Sequence, residues 1–143
     1  MAGLMLPEYL DNQLARQPDH IALYDGSHSL TYRELSNNCL LIANALKRRE
    51  VIAQDRVVIF LPRSINSVVA ILGVLQANAV YLPLDHKTPP ARISAILQDA
   101  APAAIICDKT SRESLATALQ AAQMPSVAIL ELEAELSDER LSD

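Results

Sequence analysis

Leu6, Leu10 and Leu14 recur every four residues with Tyr9 beside them, and Pro18 closes the run. That spacing predicts a short amphipathic helix. Two brief runs at 21–24 and 29–32 then flank Asp25-Gly26-Ser27-His28, the pattern of a β-hairpin with an Asp-Gly turn. Thr31 and Glu34 have the spacing of a capping box. Behind them Leu35, Cys39, Ile42, Ala43 and Leu46 share one face of a predicted helix that Lys47-Arg48-Arg49 closes. Positive charge there complements the negative end of the helix dipole, and this reading of the triplet is preferred to phosphate binding.

Residues 57–61 are apolar without alternation, as in a strand covered on both faces of a parallel sheet. Ser64 suits the cap of the next helix, which runs to about Ala77. Val68, Val69, Ile71, Leu72, Val74 and Leu75 nearly encircle that helix, so it is expected to be largely buried, and Ala70, Gly73 and Ala77 leave room for close packing. Strands are predicted at 79–82, 103–107 and 127–132. Between them lie a helix opened by Pro89-Pro90 with Ile93, Ile96 and Leu97 on its apolar face, and a helix at 111–122 carrying Leu115, Ala118, Leu119 and Ala122. After Leu132 no periodic pattern remains. Strand–helix alternation from residue 57 onward predicts an α/β fold: a four-stranded, mainly parallel sheet with helices on both faces, preceded by the short helix and hairpin. Residues 1–132 are read as the folded unit and 133–143 as an acidic tail or linker.

Composition narrows this further. The 143 residues suit one domain. With four Tyr, one Phe and no Trp, the core must be aliphatic. The net charge of −5 resides at the end of the chain, where Glu131, Glu133, Glu135, Asp138, Glu139 and Asp143 face only Arg140. The remainder is neutral, and the acidic end is read as solvated. Without a basic stripe, a nucleic-acid partner has no electrostatic support. The N-terminus lacks the features of a signal peptide, and the longest apolar run, around 68–75, is far below a membrane span. No membrane partner and a cytoplasmic location are therefore expected. Cys39 and Cys107 fall in apolar surroundings and are read as reduced, buried thiols. His20, His28 and His86 show no ligand spacing, so no metal site is expected.

Two places could hold chemistry. The turn after the first parallel strand, Pro62-Arg63-Ser64-Ile65-Asn66, has no glycine, and Gly3, Gly26 and Gly73 are the only glycines in the chain. Neither a dinucleotide fingerprint nor a Walker-type loop is present. Arg63 and Ser64 could form a small anion site, but a capping Ser beside an Arg paired to a structural carboxylate is favoured. Asp85 and His86 lie just past a strand's carboxyl end, and Asp85 is read as a turn or cap former rather than a catalytic group. Arg63, Lys87 and Lys109 are isolated cations. No catalytic, cofactor-binding or metal residue is assigned.

Leu30-Thr31-Tyr32-Arg33-Glu34-Leu35 and, further on, Leu75-Gln76-Ala77-Asn78-Ala79-Val80-Tyr81-Leu82-Pro83-Leu84-Asp85 occur in order and at the spacing of two core motifs. Gln17-Pro18-Asp19-His20-Ile21-Ala22-Leu23 precedes them. Pro90-Ala91-Arg92-Ile93, Ile96-Leu97-Gln98-Asp99-Ala100 and Ala104-Ile105-Ile106-Cys107-Asp108 follow. This series, from about Leu6 to Asp108, resembles the start of the adenylate-forming (AMP-binding) enzymes, most closely the adenylation domains of nonribosomal peptide synthetases, with acyl-CoA synthetases also in the group. Gln76 and Asn78 stand where that family usually has lysine and glycine; Asn tolerates the left-handed backbone such a turn needs.

The resemblance implies part of the N-terminal subdomain of the adenylate-forming fold, contributing scaffold motifs. The parent activity would convert a carboxylic acid (amino or acyl) and ATP to an acyl-adenylate and pyrophosphate, then transfer the acyl group to a thiol. ATP and Mg²⁺ are implied for that parent, and no cofactor for this chain. The phosphate loop, the adenine and ribose motifs and the catalytic lysine have no counterpart within the 143 residues. The chain alone is therefore expected to be inactive and to partner the remainder of the enzyme or a complementing chain. The alternative is a non-catalytic interaction module derived from that fold, acting through a partner or as a homo-oligomer. An unrelated small nucleotide or flavin binder is disfavoured by the missing glycine loop.

Overall fold

The computed structural model describes residues 6–137. Helix α1 (Leu6–Arg16) leads into a hairpin of β1 (Ile21–Tyr24) and β2 (Ser29–Thr31), paired antiparallel. Asp25 organises the turn: its Oδ1 accepts the amides of His28 at 2.8 Å and Ser27 at 3.2 Å. Those backbone hydrogen bonds, first His28's and then Ser27's, hold the Asp25 carboxyl below its ordinary pKa. Gly26 adopts φ 94°, which a side chain would resist.

Helix α2 (Tyr32–Arg48) begins with the predicted capping box. Thr31 Oγ1 accepts the Glu34 amide at 3.1 Å, and Glu34 Oε1 accepts the Thr31 amide at 2.9 Å. Leu35, Cys39, Ile42, Ala43 and Leu46 are all buried on one face, joined by Ala45.

Four parallel strands follow: β3 (Arg56–Phe60), β4 (Val80–Pro83), β5 (Ala104–Cys107) and β6 (Ala128–Glu131), in the spatial order β4-β3-β5-β6. The apolar run predicted as an interior strand thus lies between two neighbours. Alternate side chains serve two cores. Val57 and Ile59 pack with α1, α2 and α3 (Ile65–Gln76), whereas Val58 and Phe60 pack with α4 (Pro90–Ala100) and α5 (Arg112–Ala121). Helices therefore cover both faces, as expected for α/β crossovers. Asn78 takes φ 62°, so the turn before β4 keeps the left-handed backbone that the motif demands.

The helix α3 is less enclosed than its sequence suggests. Val69, Ala70, Gly73 and Val74 are buried, while Val68, Ile71, Leu72 and Leu75 are only half-buried. Its tightest contact is with α2: a Cβ built on Gly73 would lie 2.6 Å from both Cβ and Cγ2 of Ile42. The two helices approach until a glycine is the only residue that fits.

The expectation that nothing regular follows Leu132 is corrected. Helix α6 (Leu132–Leu136) begins directly after β6. Leu132 and Leu136 sit four apart and both pack into the α2–α3 core. Five residues are too few to produce a period that stands out in a sequence. The boundary drawn at 132/133 therefore falls inside a helix, and the rest of the acidic segment, 138–143, lies outside the described residues.

Gly73→Ala should lower the unfolding free energy by about 1–3 kcal/mol, because overpacking against the Ile42 stem outweighs the gain in helix propensity. Urea denaturation would check this, and an unchanged or raised midpoint would contradict the close-approach account.

Candidate functional site

The carboxyl ends of β3 and β4 frame a concavity. The chain leaves β3 toward α3 on one face, and leaves β4 and β5 toward α4 and α5 on the other. In parallel sheets a divergence of this kind opens a crevice where ligands commonly bind. Here it forms a groove of about 550 Å³, floored by Ile59, Leu61, Ile71, Pro83 and Leu84 and rimmed by Arg63, Ser67, Asp85, His86 and Lys87.

The rim follows from local chemistry. Pro62 ends the strand, and Ser64 caps α3 through a reciprocal box with Ser67. The Ser64 hydroxyl accepts the Ser67 amide at 3.4 Å and donates to the Pro62 carbonyl at 3.1 Å. The Ser67 hydroxyl accepts the Ser64 amide at 3.0 Å and donates to the Ser64 carbonyl at 2.7 Å. Both hydroxyls are thus committed within the turn rather than presented to a ligand. This partner of Ser64 is absent from the sequence reading because serine, not Glu or Gln, occupies the reciprocal position.

Ser64 is a cap, as favoured, but the companion expectation for Arg63 is corrected. Arg63 is exposed and has no carboxylate or other hydrogen-bond partner among the described residues. Its nearest surroundings are the apolar groove wall on one side and the hairpin residues Leu23, Tyr24 and Asp25 on the other.

Asp85 forms a turn. Its Oδ1 accepts the Lys87 amide at 2.9 Å and its carbonyl accepts the Thr88 amide at 2.9 Å. His86 Nδ1 lies 3.8 Å from Asp85 Oδ1, beyond a hydrogen bond. Across the same edge, Asp108 accepts the Ser111 amide at 2.9 Å and the Thr110 hydroxyl at 3.0 Å, opening a short 3₁₀ turn at Lys109–Ser111. Partial burial pushes the Asp108 carboxyl up, but the hydrogen bonds from Ser111 and Thr110 outweigh it and hold its pKa below the ordinary value. His86 adds a smaller pull in the same direction.

The other candidates do not converge on this groove. His20 and His28 lie around the hairpin, where the amide and carbonyl of His20 bond to Gln17 and Tyr32. Among the described residues no group of three or more His, Cys, Asp or Glu side chains is arranged to hold a metal. Gly26 sits in the hairpin turn and Gly73 between helices, so neither lies at the carboxyl edge. Both cysteines are free and buried. Burial pushes the Cys39 thiol up to about 12, and burial followed by the Asp108 charge does the same at Cys107. Neither is a nucleophile at neutral pH.

Residues 10–143 match the sequence model of the AMP-binding enzyme family. Vanchrobactin synthetase VabF of Vibrio anguillarum is 37% identical over 124 residues, covering 85% of this chain and 4% of its own length. Cyclosporin synthetase simA of Tolypocladium inflatum is 47% identical over 85 residues, or 59% of this chain and 1% of the synthetase. Among solved structures, the nonribosomal peptide synthetase FmoA3 bound to alpha-methyl-L-serine-AMP aligns with a TM-score of 0.80 at 25% identity, covering 94% of this chain and 14% of that one. The N-terminal subdomain of Klebsiella oxytoca NpsA, in complex with 3-hydroxybenzoyl-AMSN, aligns at 0.73 with 24% identity, covering 93% and 31%. The chain thus spans only a few per cent of the length of the curated relatives it matches.

A thiol reagent applied at about pH 8 should leave both cysteines unlabelled in the native protein and label both once urea unfolds it. Rapid native labelling of either would contradict their burial.

Proposed function

This chain belongs to the AMP-binding enzyme family, and from that premise we propose that it is the N-terminal scaffold of an adenylate-forming ligase. The parent enzyme activates a carboxylic acid with ATP to an acyl-adenylate and passes the acyl group to a thiol. The observation that carries the reading is the family match over residues 10–143, together with the seating of both core motifs in structural positions. The first starts α2 through the Thr31–Glu34 box, and the second forms β4 and its exit turn.

In this role the chain builds one sheet edge and contributes no reacting group. A triphosphate needs clustered backbone amides with lysine or a metal beside them. The Ser64–Ser67 box commits two first-turn hydroxyls and two amides internally, no glycine among the described residues lies at the edge, and Arg63 and Lys87 are the only arginine and lysine on the groove rim. These residues do not fit ATP with Mg²⁺, which the reading assigns to the remainder of the enzyme. That remainder, or a complementing chain, is the proposed partner. The proposed setting is the cytoplasm, supported by two free buried thiols; no helix among the described residues is long and apolar enough to cross a membrane.

Two assays test this. The isolated chain should show no ATP–pyrophosphate exchange with any amino or fatty acid. A chimaera in which residues 10–143 replace the matching segment of an active adenylation domain should retain acid-dependent exchange. A chimaera that folds but has lost exchange would sink the scaffold role and favour a separate interaction module.

A further inference from the structure

We propose that α6 is a charge-latched strap, a short helix held across the molecule by its acids, which opens separately from the sheet and controls order at the turn after β5. Three successive acids on alternate positions each reach a different basic or donor group. Glu131 Oε1 lies 3.8 Å from Arg112 Nε. Both Glu133 carboxylate oxygens accept the Lys109 amide at 3.1 Å. Glu135, the one buried charged residue among those described at 8% exposure, sits 3.0 Å from Arg49 Nη2 and 3.7 Å from Arg48 Nη2. Arg49 is itself oriented by donating to the Ala45 carbonyl at 3.2 Å, near the end of α2. Glu135 of the acidic segment and Arg48 and Arg49 of the basic triplet thus belong to one device.

A helix of five residues cannot persist by itself, so its order depends on docking. The apolar side is anchored by Leu132, buried in the α2–α3 core, with Leu136 partly buried against it. The other anchor is ionic, and Arg48 and Arg49 remain 37% and 33% exposed. Salt therefore screens the arginine side of the latch, less than it would a fully exposed pair because Glu135 is buried, while the sheet's aliphatic core holds no charge to screen. Opening α6 also withdraws Glu133 from the Lys109 amide, which loosens the turn that Asp108 caps beside the groove.

Hydrogen–deuterium exchange on the full chain tests the latch. Raising salt from about 0.05 to about 1 M should speed exchange at residues 132–137 and at Lys109, while β3 and β5 amides stay protected. At low salt Glu135→Gln should produce a similar acceleration, about tenfold, and leave little further response to salt. Arg49→Gln should speed exchange at the same residues, and combining it with Glu135→Gln should add little, because both remove the same contact. Wild-type exchange in Glu135→Gln, a salt-insensitive α6, or parallel loss of protection in β3 and β5 would each overturn the proposal. So would fully additive effects of Glu135→Gln and Arg49→Gln, which would make Glu135 a packing residue only. Should Glu135→Gln not fold, the salt series on the wild-type chain decides.

Discussion

The contact between Gly73 and Ile42 fixes how near α3 lies to α2, and most of the architecture inherits that distance. Both helices cover the same face of the sheet, and their shared core takes in Val57 and Ile59 of β3, Ala104 and Ile106 of β5, and Leu130 of β6. Cys39 Sγ lies 3.9 Å from the Val69 carbonyl, so the close approach extends along the helices rather than at a single point. Because α3 begins four residues after Leu61, its seating also sets where the Arg63–Ser67 turn stands over the groove. A packing constraint buried in one core thereby shapes the edge where the second motif ends.

Much of this was legible in the sequence, because the signals were local. An unbroken apolar run marked β3, the Thr31–Glu34 spacing marked the start of α2, and small residues in α3 marked its packing face. What escaped was of two kinds. Ser67 completes a capping box with an unusual residue, and Leu132 and Leu136 give only one repeat of helical spacing. The latch between Glu135 and the Arg48–Arg49 pair joins residues more than eighty positions apart, which no periodicity reveals. Arg63 failed in the opposite direction: a partner was expected for it, and the described residues supply none. The groove itself needs Ile71 from a helix and Leu84 from beyond β4, so it exists only in three dimensions.

These facts support the proposed division of labour. The carboxyl edge has the location of a ligand crevice, yet its turns are closed by their own side chains: Ser64 with Ser67, Asp85 with Lys87 and Thr88, Asp108 with Thr110 and Ser111. Such turns hold strand exits rigidly and leave few donors for a substrate. Membership of the AMP-binding family supports the proposal that this chain is the framework of a carboxylate-activating enzyme, with the chemistry performed elsewhere.

The most direct test of that division is an amide-resolved NMR titration of the 143-residue chain with ATP and Mg²⁺. The account predicts no saturable, localised shift changes below about millimolar ATP, equivalent to roughly 4 kcal/mol of binding. Saturable shifts at micromolar ATP, centred on residues 63–67 and 85–88, would contradict it and give the groove a chemical role.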